Sequence, residues 1–374
     1  MNLVVLGATG SIGSQTLAIA RRRGHRVLAV SARHASERLW QVVDEFRPEA
    51  YTFDAGDDRP GVGRRVAGPQ ALAELAVWPG ADAVVVAVNG FDGLPPMLAA
   101  LAMERRVAAA TKESIIAGGD LLRDAVARGL LLPVDSEHQA AFQLLLQRRP
   151  EDVRRLIITT SGGALRDWPV ERLPEARPAD ALRHPNWSMG QLVTISSATL
   201  MNKGVEVLEA HVLFGLALDA IDVWIHPTQM AHALLETQDG ALYAALARPD
   251  MMLPIEQALM HPALPRDALR PLEPEDLAEL RFARPDPARY PSLRLCREVG
   301  TIGGTMPAVL CAANEVAALA FLRGALPFTE IVPVVADVVA QHRPEAAPDL
   351  PALQASDRWA RAAAEHVVRR RERR

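Results

Sequence analysis

Two carboxylates stand two residues apart in the segment LLLPVDSEHQAAF, at residues 130–142. Asp135 and Glu137 directly follow an apolar run, and Ser136 lies between them. In an extended segment residues i and i+2 point to the same side, so the two carboxylates would converge. Because like charges repel and burial raises that cost, the pattern suggests a bound divalent cation with a preference for oxygen ligands. A solvated surface loop is the alternative for so short a motif.

A third carboxylate belongs to the segment SSATLMNKGVEVLEAH, which has helical periodicity. On a helix Asn202, Lys203 and Glu206 share one face, because they are three or four residues apart. Glu206 is therefore a candidate third metal ligand, while Asn202, Lys203 and the preceding Ser197 are candidates for binding an anion. Apolar neighbours indicate that this segment packs inside a domain; a surface salt bridge is the alternative.

Two further segments are typical of a ligand site. Ser161 precedes two glycines in TTSGGA, a turn that can offer a hydroxyl and backbone N–H groups to an anion. HPNWSMGQ is a proline-containing loop with His184, Trp187 and Met189, which suggests a lid over a ligand or cofactor. The alternative is a loop anchored on the core through Trp187. His226 in WIHPTQMAH is predicted to be a structural core histidine.

A glycine turn near the start of the chain predicts a dinucleotide site. LGATGSIGSQT places Gly7, Gly10 and Gly13 between a strand and a helix that begins near Ser11. Such glycines let a pyrophosphate approach the backbone, and the helix N-terminus favours the anion. A tight glycine turn without a ligand is the alternative.

The end of the second strand, VSARHASER, distinguishes between the two nicotinamide dinucleotides. An NAD site usually has an acidic residue there, whereas this chain has Arg33 followed by His34. An arginine suits a 2′-phosphate, so the segment predicts NADP(H). A solvated loop charge is the alternative for Arg33.

The elements that must position these residues change in character along the chain. Strands and helices alternate at first, which is typical of a doubly wound parallel sheet, and strand-like runs flanking a helical segment follow. We predict an α/β fold with four segments: a Rossmann-type NADPH-binding domain at 1–134, a catalytic and connective α+β domain at 135–261, a linker with seven prolines at 262–291 and a C-terminal helical domain at 292–374.

Composition excludes several classes of protein. The 374 residues are 49% hydrophobic with a net charge of −4, which does not favour nucleic acid or an anionic membrane as the main partner. Two cysteines argue against a disulfide scaffold or a cysteine-rich zinc site. We expect a cytoplasmic protein, since the N-terminal segment lacks the regions of a signal peptide. The basic ending VVRRRERR is interpreted as a solvated helix end.

Taken in order, these motifs resemble the 1-deoxy-D-xylulose 5-phosphate reductoisomerase family over nearly the whole chain. The matching segments are GATGSIGSQT, TKES, PVDSEHQA, TTSGGALRD, HPNWSMG, SATLMNKGVEVLEAHVLFG, IHPTQMAHALLETQDG and AANEVAALAFL. The family reaction is an NADPH- and metal-dependent conversion of 1-deoxy-D-xylulose 5-phosphate to 2-C-methyl-D-erythritol 4-phosphate, in non-mevalonate isoprenoid biosynthesis. The resemblance implies cleavage of the C3–C4 bond, a retro-aldol and aldol rearrangement, and then reduction.

The resemblance also implies a role for each matching residue. The implied metal ligands, for Mg²⁺ or Mn²⁺ with Co²⁺ as a third candidate, are Asp135, Glu137 and Glu206. The implied substrate contacts are Ser136, Ser161, His184, Trp187, Ser197, Asn202 and Lys203. The implied catalytic residues are Glu137, Lys203 and Lys112, of which Glu137 and Lys203 are both candidates for the base. The implied cofactor contacts are Thr9, Gly10, Ser11, Ile12, Ala32, Arg33, His34, Thr111, Glu113 and Met189.

Two cofactor positions depart from the family pattern, which often has glycine at Ala32 and asparagine at Thr111. The resemblance further implies a V-shaped homodimer.

Two alternative functions stay open on the residues alone. One is another NADP-dependent dehydrogenase, of the semialdehyde or homoserine type, although no cysteine stands where a thiol nucleophile would be needed. The other is a non-catalytic protein that senses NADP(H) and needs no metal.

Overall fold

Seven parallel strands form the larger of two sheets in the computed structural model, which describes residues 1–59, 61–146, 148–184, 186–187 and 189–372. The strands are β1 Asn2–Leu6, β2 Arg26–His34, β3 Ala50–Ala55, β4 Arg64–Arg65, β5 Ala83–Val86, β6 Arg106–Ala109 and β7 Leu131–Pro133. Their order is β4-β3-β2-β1-β5-β6-β7. The order reverses beside β1, as in dinucleotide-binding folds, and confirms the predicted doubly wound sheet.

Helices connect these strands, as the alternating pattern predicts. They are α1 Ser11–Arg23, α2 Glu37–Phe46, α3 Ala71–Ala76, α4 Leu94–Ala102, α5 Lys112–Gly118, α6 Arg123–Ala127 and α7 Ser136–Leu145. Strands β3 and β4 and helix α3 were not predicted. Residues 3–6 of β1 and 83–86 of β5 are buried throughout, because helices cover both faces of a parallel sheet.

The second sheet is smaller and mixed. Its strands are β8 Val153–Thr160, β9 Ile221–Ile225, β10 Ala231–Thr237 and β11 Leu242–Leu246, in the order β11-β10-β8-β9. Strands β8 and β9 run parallel, whereas β10 is antiparallel to both β8 and β11. The remaining helices are α8 Pro178–Ala181, α9 Gln191–Ala198, α10 Met201–Phe214, α11 Met252–Met260, α12 Pro291–Ile302, α13 Met306–Leu322, α14 Ile331–Gln341 and α15 Leu350–Glu372.

The chain divides into two compact units. The first comprises Met1–Ile115, Leu121–Gln139 and Asp250–Arg270, and the second comprises Ile116–Asp120, Ala140–Pro249 and Pro271–Arg374. The four predicted segments, with their boundaries at residues 134, 261 and 291, stay a prediction.

In the first unit, α11 is joined to α1 by a buried carboxylate. Glu256 on α11 is fully buried and accepts hydrogen bonds from the guanidinium groups of Arg22 and Arg23, which lie in the last turn of α1. Arg106 in β6 also donates to the backbone oxygen of Leu259 at 2.8 Å. These contacts attach residues of α11 to a sheet that is far away in sequence.

In the second unit, the C-terminal helices share one hydrophobic core with α9 and α10. Met201 and Val205 of α10 are buried in the same cluster as Val309 of α13 and Val335 of α14. The C-terminal helices predicted from the sequence are therefore present and pack on the segment that carries Asn202, Lys203 and Glu206. No helix among the described residues is both long enough and apolar enough to span a membrane.

Candidate active site

The glycine turn after β1 is built as the sequence predicts. Gly7 has a φ of +86°, and a Cβ at this position would collide with the backbone of Ala87. A Cβ at Gly13 would come within 2.7 Å of the Cα of Ala8. Glycine is therefore required at both positions by close backbone packing. The turn leaves Gly10 and Ser11 exposed at the N-terminus of the 13-residue helix α1, where an anion is favoured.

The candidate residues for the 2′-phosphate lie at the end of β2. Arg33 and His34 are exposed, whereas Ala32 is buried. Their backbone belongs to the pairing of β2 with β3, and within the described parts of the chain neither side chain forms a hydrogen bond or an ion pair. Ser31, just before them, accepts a hydrogen bond from the backbone N–H of Gly7 at 2.8 Å, which fixes the end of β2 beside the glycine turn.

Arg38 is a cation that the sequence analysis missed. It lies in the first turn of α2, and its guanidinium donates a hydrogen bond of 2.6 Å to the hydroxyl of Ser14 on α1. Nothing in the spacing of VSARHASER distinguishes this arginine from an ordinary exposed helix residue. The contact places the Arg38 side chain beside the first turn of α1.

The residues after β6 begin helix α5. Thr111 is buried, and its hydroxyl donates to the backbone oxygen of Gly90 at 3.1 Å. Lys112 is the first residue of α5, and its ammonium group lies 2.6 Å from a carboxylate oxygen of Asp135. Glu113 is partly buried in the first turn of α5. The structure thus brings Lys112 and Asp135 together.

The extended conformation that we expected for Asp135–Ser136–Glu137 is wrong. Helix α7 begins at Ser136, so Glu137 lies in its first turn. The carboxylate of Asp135 accepts from the backbone N–H of Glu137 at 3.3 Å, and the Asp135 carbonyl accepts from Gln139 at 2.8 Å. An aspartate at this position caps the helix, which explains why the extended conformation gives way to a helix.

Side chains at the start of α7 make a short hydrogen-bonded group. The Ser136 hydroxyl donates to Glu137 at 2.5 Å, and Nδ1 of the fully buried His138 lies 3.1 Å from Asp135. With Lys112, the group combines two carboxylates, an ammonium, an imidazole and a hydroxyl in one unit of the protein. Such a set can bind a cation through oxygen and move a proton.

The shared helical face of Asn202, Lys203 and Glu206 is confirmed. All three lie on α10, where Glu206 is 2% exposed and accepts from the Asn202 amide at 2.5 Å and from the ammonium of Lys203. Lys203 is also 2% exposed, so this charged pair is buried, which excludes the surface salt bridge that the sequence left open. The desolvation cost of such a buried pair offsets much of its Coulombic attraction, so the pair is not by itself a source of stability.

The turn after β8 presents Ser161 against His184. Gly162 and Gly163 have φ values of +86° and +76°, a conformation that favours glycine. The Ser161 hydroxyl oxygen accepts from the backbone N–H of Gly163 at 3.1 Å and lies 3.0 Å from Nε2 of His184. The turn also packs on the end of α9, since a Cβ at Gly163 would lie 2.6 Å from the carbonyl oxygen of Ser197.

The protonation of His184 follows from its partners. Its Nδ1 accepts from the backbone N–H groups of Asn186 at 3.2 Å and Trp187 at 3.0 Å. Burial lowers the pKa of His184 to about 4, so the ring is neutral near pH 7. A neutral ring that accepts at Nδ1 carries its proton on Nε2 and donates to Ser161. The Ser161 hydroxyl proton is then left to donate to a ligand.

A strained residue separates α9 from α10. Leu200 is fully buried and has a φ of +52°, which non-glycine residues rarely adopt. It breaks the helical run SSATLMNKG between Ser197, at the end of α9, and Asn202 on α10. Strain of this kind persists where the surrounding structure fixes it, as at functional sites.

Trp187 is held by a residue that the sequence analysis did not single out. Its indole N–H donates to the amide oxygen of Gln229 at 2.9 Å. Met189, which we predicted to form a lid with Trp187, is partly buried before the start of α9.

His226 is fully buried, with Nδ1 2.8 Å from the carbonyl oxygen of Arg281 and Nε2 3.2 Å from the Thr228 hydroxyl. The prediction of a structural core histidine is confirmed.

Comparison with known proteins identifies the family. Models described as 1-deoxy-D-xylulose 5-phosphate reductoisomerase match residues 3–119, and models of its C-terminal domain match residues 131–214 and 246–363. A 1-deoxy-D-xylulose 5-phosphate reductoisomerase of Thermomicrobium roseum is 46% identical over 379 aligned residues, which cover 99% of this chain and 98% of the relative. The chain belongs to the 1-deoxy-D-xylulose 5-phosphate reductoisomerase family.

Other relatives and solved structures agree with this membership. The reductoisomerase of Symbiobacterium thermophilum is 44% identical, with 98% of this chain and 99% of the relative covered. A reductoisomerase crystallised with NADPH, fosmidomycin and magnesium has a TM-score of 0.89 at 32% identity and covers 99% of this chain and 98% of its own. The Zymomonas mobilis enzyme in complex with NADPH has a TM-score of 0.87 at 34% identity, with 98% of each chain covered.

Proposed function

We propose that the residues predicted from the sequence bind the metal ion, the substrate and NADPH, and transfer the protons of the family reaction. The protein is an NADPH- and divalent-metal-dependent oxidoreductase that converts 1-deoxy-D-xylulose 5-phosphate to 2-C-methyl-D-erythritol 4-phosphate for isoprenoid precursors. Family membership along the whole chain carries this assignment. When bound, NADPH supplies a hydride, and the cation supplies Lewis-acid polarisation of neighbouring substrate oxygens.

Asp135, Glu137 and Glu206 are proposed as the carboxylate ligands of the cation. Hard carboxylate oxygens suit Mg²⁺ or Mn²⁺, and Co²⁺ is a third candidate. The position of Asp135 and Glu137 at the start of α7 supports this role, as does the burial of Glu206 among polar partners. Fixed hydrogen bonds to Glu137 and Glu206 would orient these carboxylates for an incoming ion.

Ser161, Ser197, Asn202 and Lys203 are proposed to hold the phosphate end of the substrate, with His184 as a further substrate contact beside Ser161. The hydroxyl of Ser161 has its proton left to donate, because its oxygen already accepts from His184 and Gly163. The ammonium of Lys203 supplies positive charge in a buried setting, where an anion is bound more strongly than in water. Trp187 would cover the bound substrate. The Ser136 oxygen would accept from a substrate hydroxyl, because its own proton is donated to Glu137.

Glu137, Lys203 and Lys112 are proposed for proton transfer at the reacting carbons. Both Glu137 and Lys203 stay candidates for the base that removes a hydroxyl proton from the substrate. Lys112 lies 2.6 Å from Asp135, so its position depends on this carboxylate. The retro-aldol step breaks the C3–C4 bond, the aldol step joins C2 to C4, and the resulting C3 aldehyde takes up a hydride and a proton.

The turn after β1 is proposed to bind the pyrophosphate, and the end of β2 to bind the 2′-phosphate. Thr9, Gly10, Ser11 and Ile12 surround the exposed start of α1, which favours an anion. The remaining proposed contacts with NADPH are Ala32, Arg33, His34, Thr111, Glu113 and Met189. Arg33 and His34 are exposed, as a phosphate contact requires.

A homodimer is also proposed, and a cytoplasmic location stays a prediction. The edge strand β11 supports a dimer, because it exposes Leu242, Tyr243 and Leu246 beside an open strand edge. Leu246→Arg is expected to give a monomer in sedimentation velocity, whereas Leu264→Arg, at another exposed leucine, leaves a dimer. A wild-type chain that sediments as a monomer at micromolar concentration contradicts the proposal.

An absorbance assay tests the reaction. Purified protein with 1-deoxy-D-xylulose 5-phosphate, NADPH and Mg²⁺ or Mn²⁺ should consume NADPH, and a chelator should stop the reaction. Addition of excess metal should restore it. If NADPH absorbance stays constant with each of these metals, the assignment is wrong.

A further inference from the structure

Gln229 occupies a strained and buried position. It is 5% exposed and has a φ of +52°, and its backbone N–H donates to the carbonyl oxygen of His226 at 3.1 Å. Non-glycine residues rarely adopt this conformation, and it persists where surrounding contacts fix it. The turn therefore directs one particular side chain at the cost of backbone strain.

The side chain of Gln229 accepts hydrogen bonds from two consecutive residues of the loop that contains Trp187. Its amide oxygen accepts from the indole N–H of Trp187 at 2.9 Å and from the side-chain amide of Asn186 at 3.2 Å. The Asn186 amide also donates to the carbonyl oxygen of Pro227 at 2.7 Å. Because an indole nitrogen only donates, the oxygen of the Gln229 amide must face it.

The backbone of the same two residues is fixed by His184. Nδ1 of His184 accepts from the N–H groups of Asn186 and Trp187, while Nε2 lies 3.0 Å from the Ser161 hydroxyl. A chain of hydrogen bonds therefore runs from Gln229 through Trp187 and His184 to Ser161. Each link restricts the orientation of the next group.

We propose that Gln229 is a positioning residue, which holds Trp187 and through it orients the His184 imidazole towards Ser161. This inference rests on the proposed roles of Ser161, His184 and Trp187 in substrate binding. Gln229 acts through the loop and needs no contact with the substrate. Its function is to order the loop in advance, so that less ordering remains to be done when the substrate binds.

The test compares variants that differ in the acceptor at position 229. Gln229→Met has a similar length and no oxygen acceptor, Gln229→Glu keeps the acceptor, and Trp187→Phe keeps an aromatic ring without the N–H donor. Deuterium exchange of peptides covering residues 184–190 is measured on the full chain without ligands. The exchange should speed up in the Met and Phe variants and stay close to wild type in the Glu variant.

Kinetics supply the second readout. Loss of one or two hydrogen bonds should raise the substrate KM about 3- to 10-fold in Gln229→Met, with a smaller change in kcat. Adding Trp187→Phe to Gln229→Met should raise KM no further than Trp187→Phe does alone. Wild-type exchange and KM in Gln229→Met would overturn the proposal, as would a folded Gln229→Glu that behaves like the Met variant. A protein without turnover refutes the proposed function instead, since the exchange comparison needs no substrate.

Discussion

His184 lies between Ser161 and the backbone of Trp187, with Nε2 3.0 Å from the serine hydroxyl and Nδ1 3.0 Å from the tryptophan N–H. The imidazole thus links the turn after β8 to the loop that precedes α9. A neutral ring donates to the serine and accepts from the loop, so both contacts depend on its charge state.

We expect His184 to stay neutral throughout the pH range in which most enzymes work. Burial lowers its pKa from 6.5 to about 4, so the neutral ring stabilises the fold above pH 6.5. That contribution is lost as the pH falls from 6.5 to about 4. Histidine NMR with His184→Gln for assignment should show no titration of this ring between pH 5.5 and 8. A midpoint near 6.5 would contradict the burial and the hydrogen bonds described above.

Arg33→Ala should weaken NADPH binding about 10- to 100-fold and leave NADH binding nearly unchanged, because a charge-assisted contact with phosphate is removed. Nicotinamide fluorescence titrations with both cofactors measure the two affinities. Arg172→Ala, at an exposed arginine in the other unit, is the control and should change neither affinity. Equal losses for NADPH and NADH in Arg33→Ala would refute a role at the 2′-phosphate.

Arg38→Ala should have a smaller effect on NADPH than Arg33→Ala, because its guanidinium is already bonded to Ser14. Fluorescence titrations of both variants with NADPH show which substitution weakens binding more. A larger loss in Arg38→Ala would make Arg38 the main phosphate contact.

Asp135→Asn should lower metal-dependent turnover more than about 100-fold and leave NADPH affinity intact, since a ligand charge is lost while shape is retained. Turnover at saturating Mn²⁺ and fluorescence titration of NADPH measure the two effects separately. Asp124→Asn on the exposed face of α6 is the matched control. Simultaneous loss of NADPH binding, or turnover close to wild type, would contradict the proposed ligand role.

Glu256→Gln should destabilise the protein by about 1–3 kcal/mol, because two arginines lose a charged partner that is fully buried. Glu45→Gln is the comparison, because Glu45 pairs with Arg21, which also lies on α1, and this pair is exposed at the surface. Its cost should stay below about 1 kcal/mol. Urea unfolding measures the free energy of unfolding of both variants. Equal losses in the two variants would show that the burial of Glu256 does not increase its contribution to stability.

Sequence patterns predicted the site well where chemistry and periodicity coincide. Asn202, Lys203 and Glu206 share a helical face, as their spacing requires. Asp135 and Glu137 were singled out from their residue types alone, yet their conformation was wrong, because aspartate before a helix acts as a cap. The acidic motif therefore indicated which residues matter without indicating the backbone that carries them.

Other features left no local signal in the sequence. Gln229 is joined to Trp187 over a separation of 42 residues, and no spacing rule predicts such a pair. Arg38 meets Ser14 through packing of α2 beside α1, which depends on the sheet. Strand β3 was missed because its short segment AYTFDA mixes polar and apolar residues, and its pairing with β2 determines its structure.

The protein rearranges the carbon skeleton of its substrate before reducing it, so one carbon–carbon bond of the substrate must break. The substrate is labelled with ¹³C at C3 and C4 and converted with NADPH and Mn²⁺, and the product is examined by ¹³C NMR. We predict that the one-bond coupling between C3 and C4 disappears, because that bond breaks and C4 joins C2. A product that keeps this coupling while NADPH is consumed would show simple reduction of the ketone and would rule out the rearrangement.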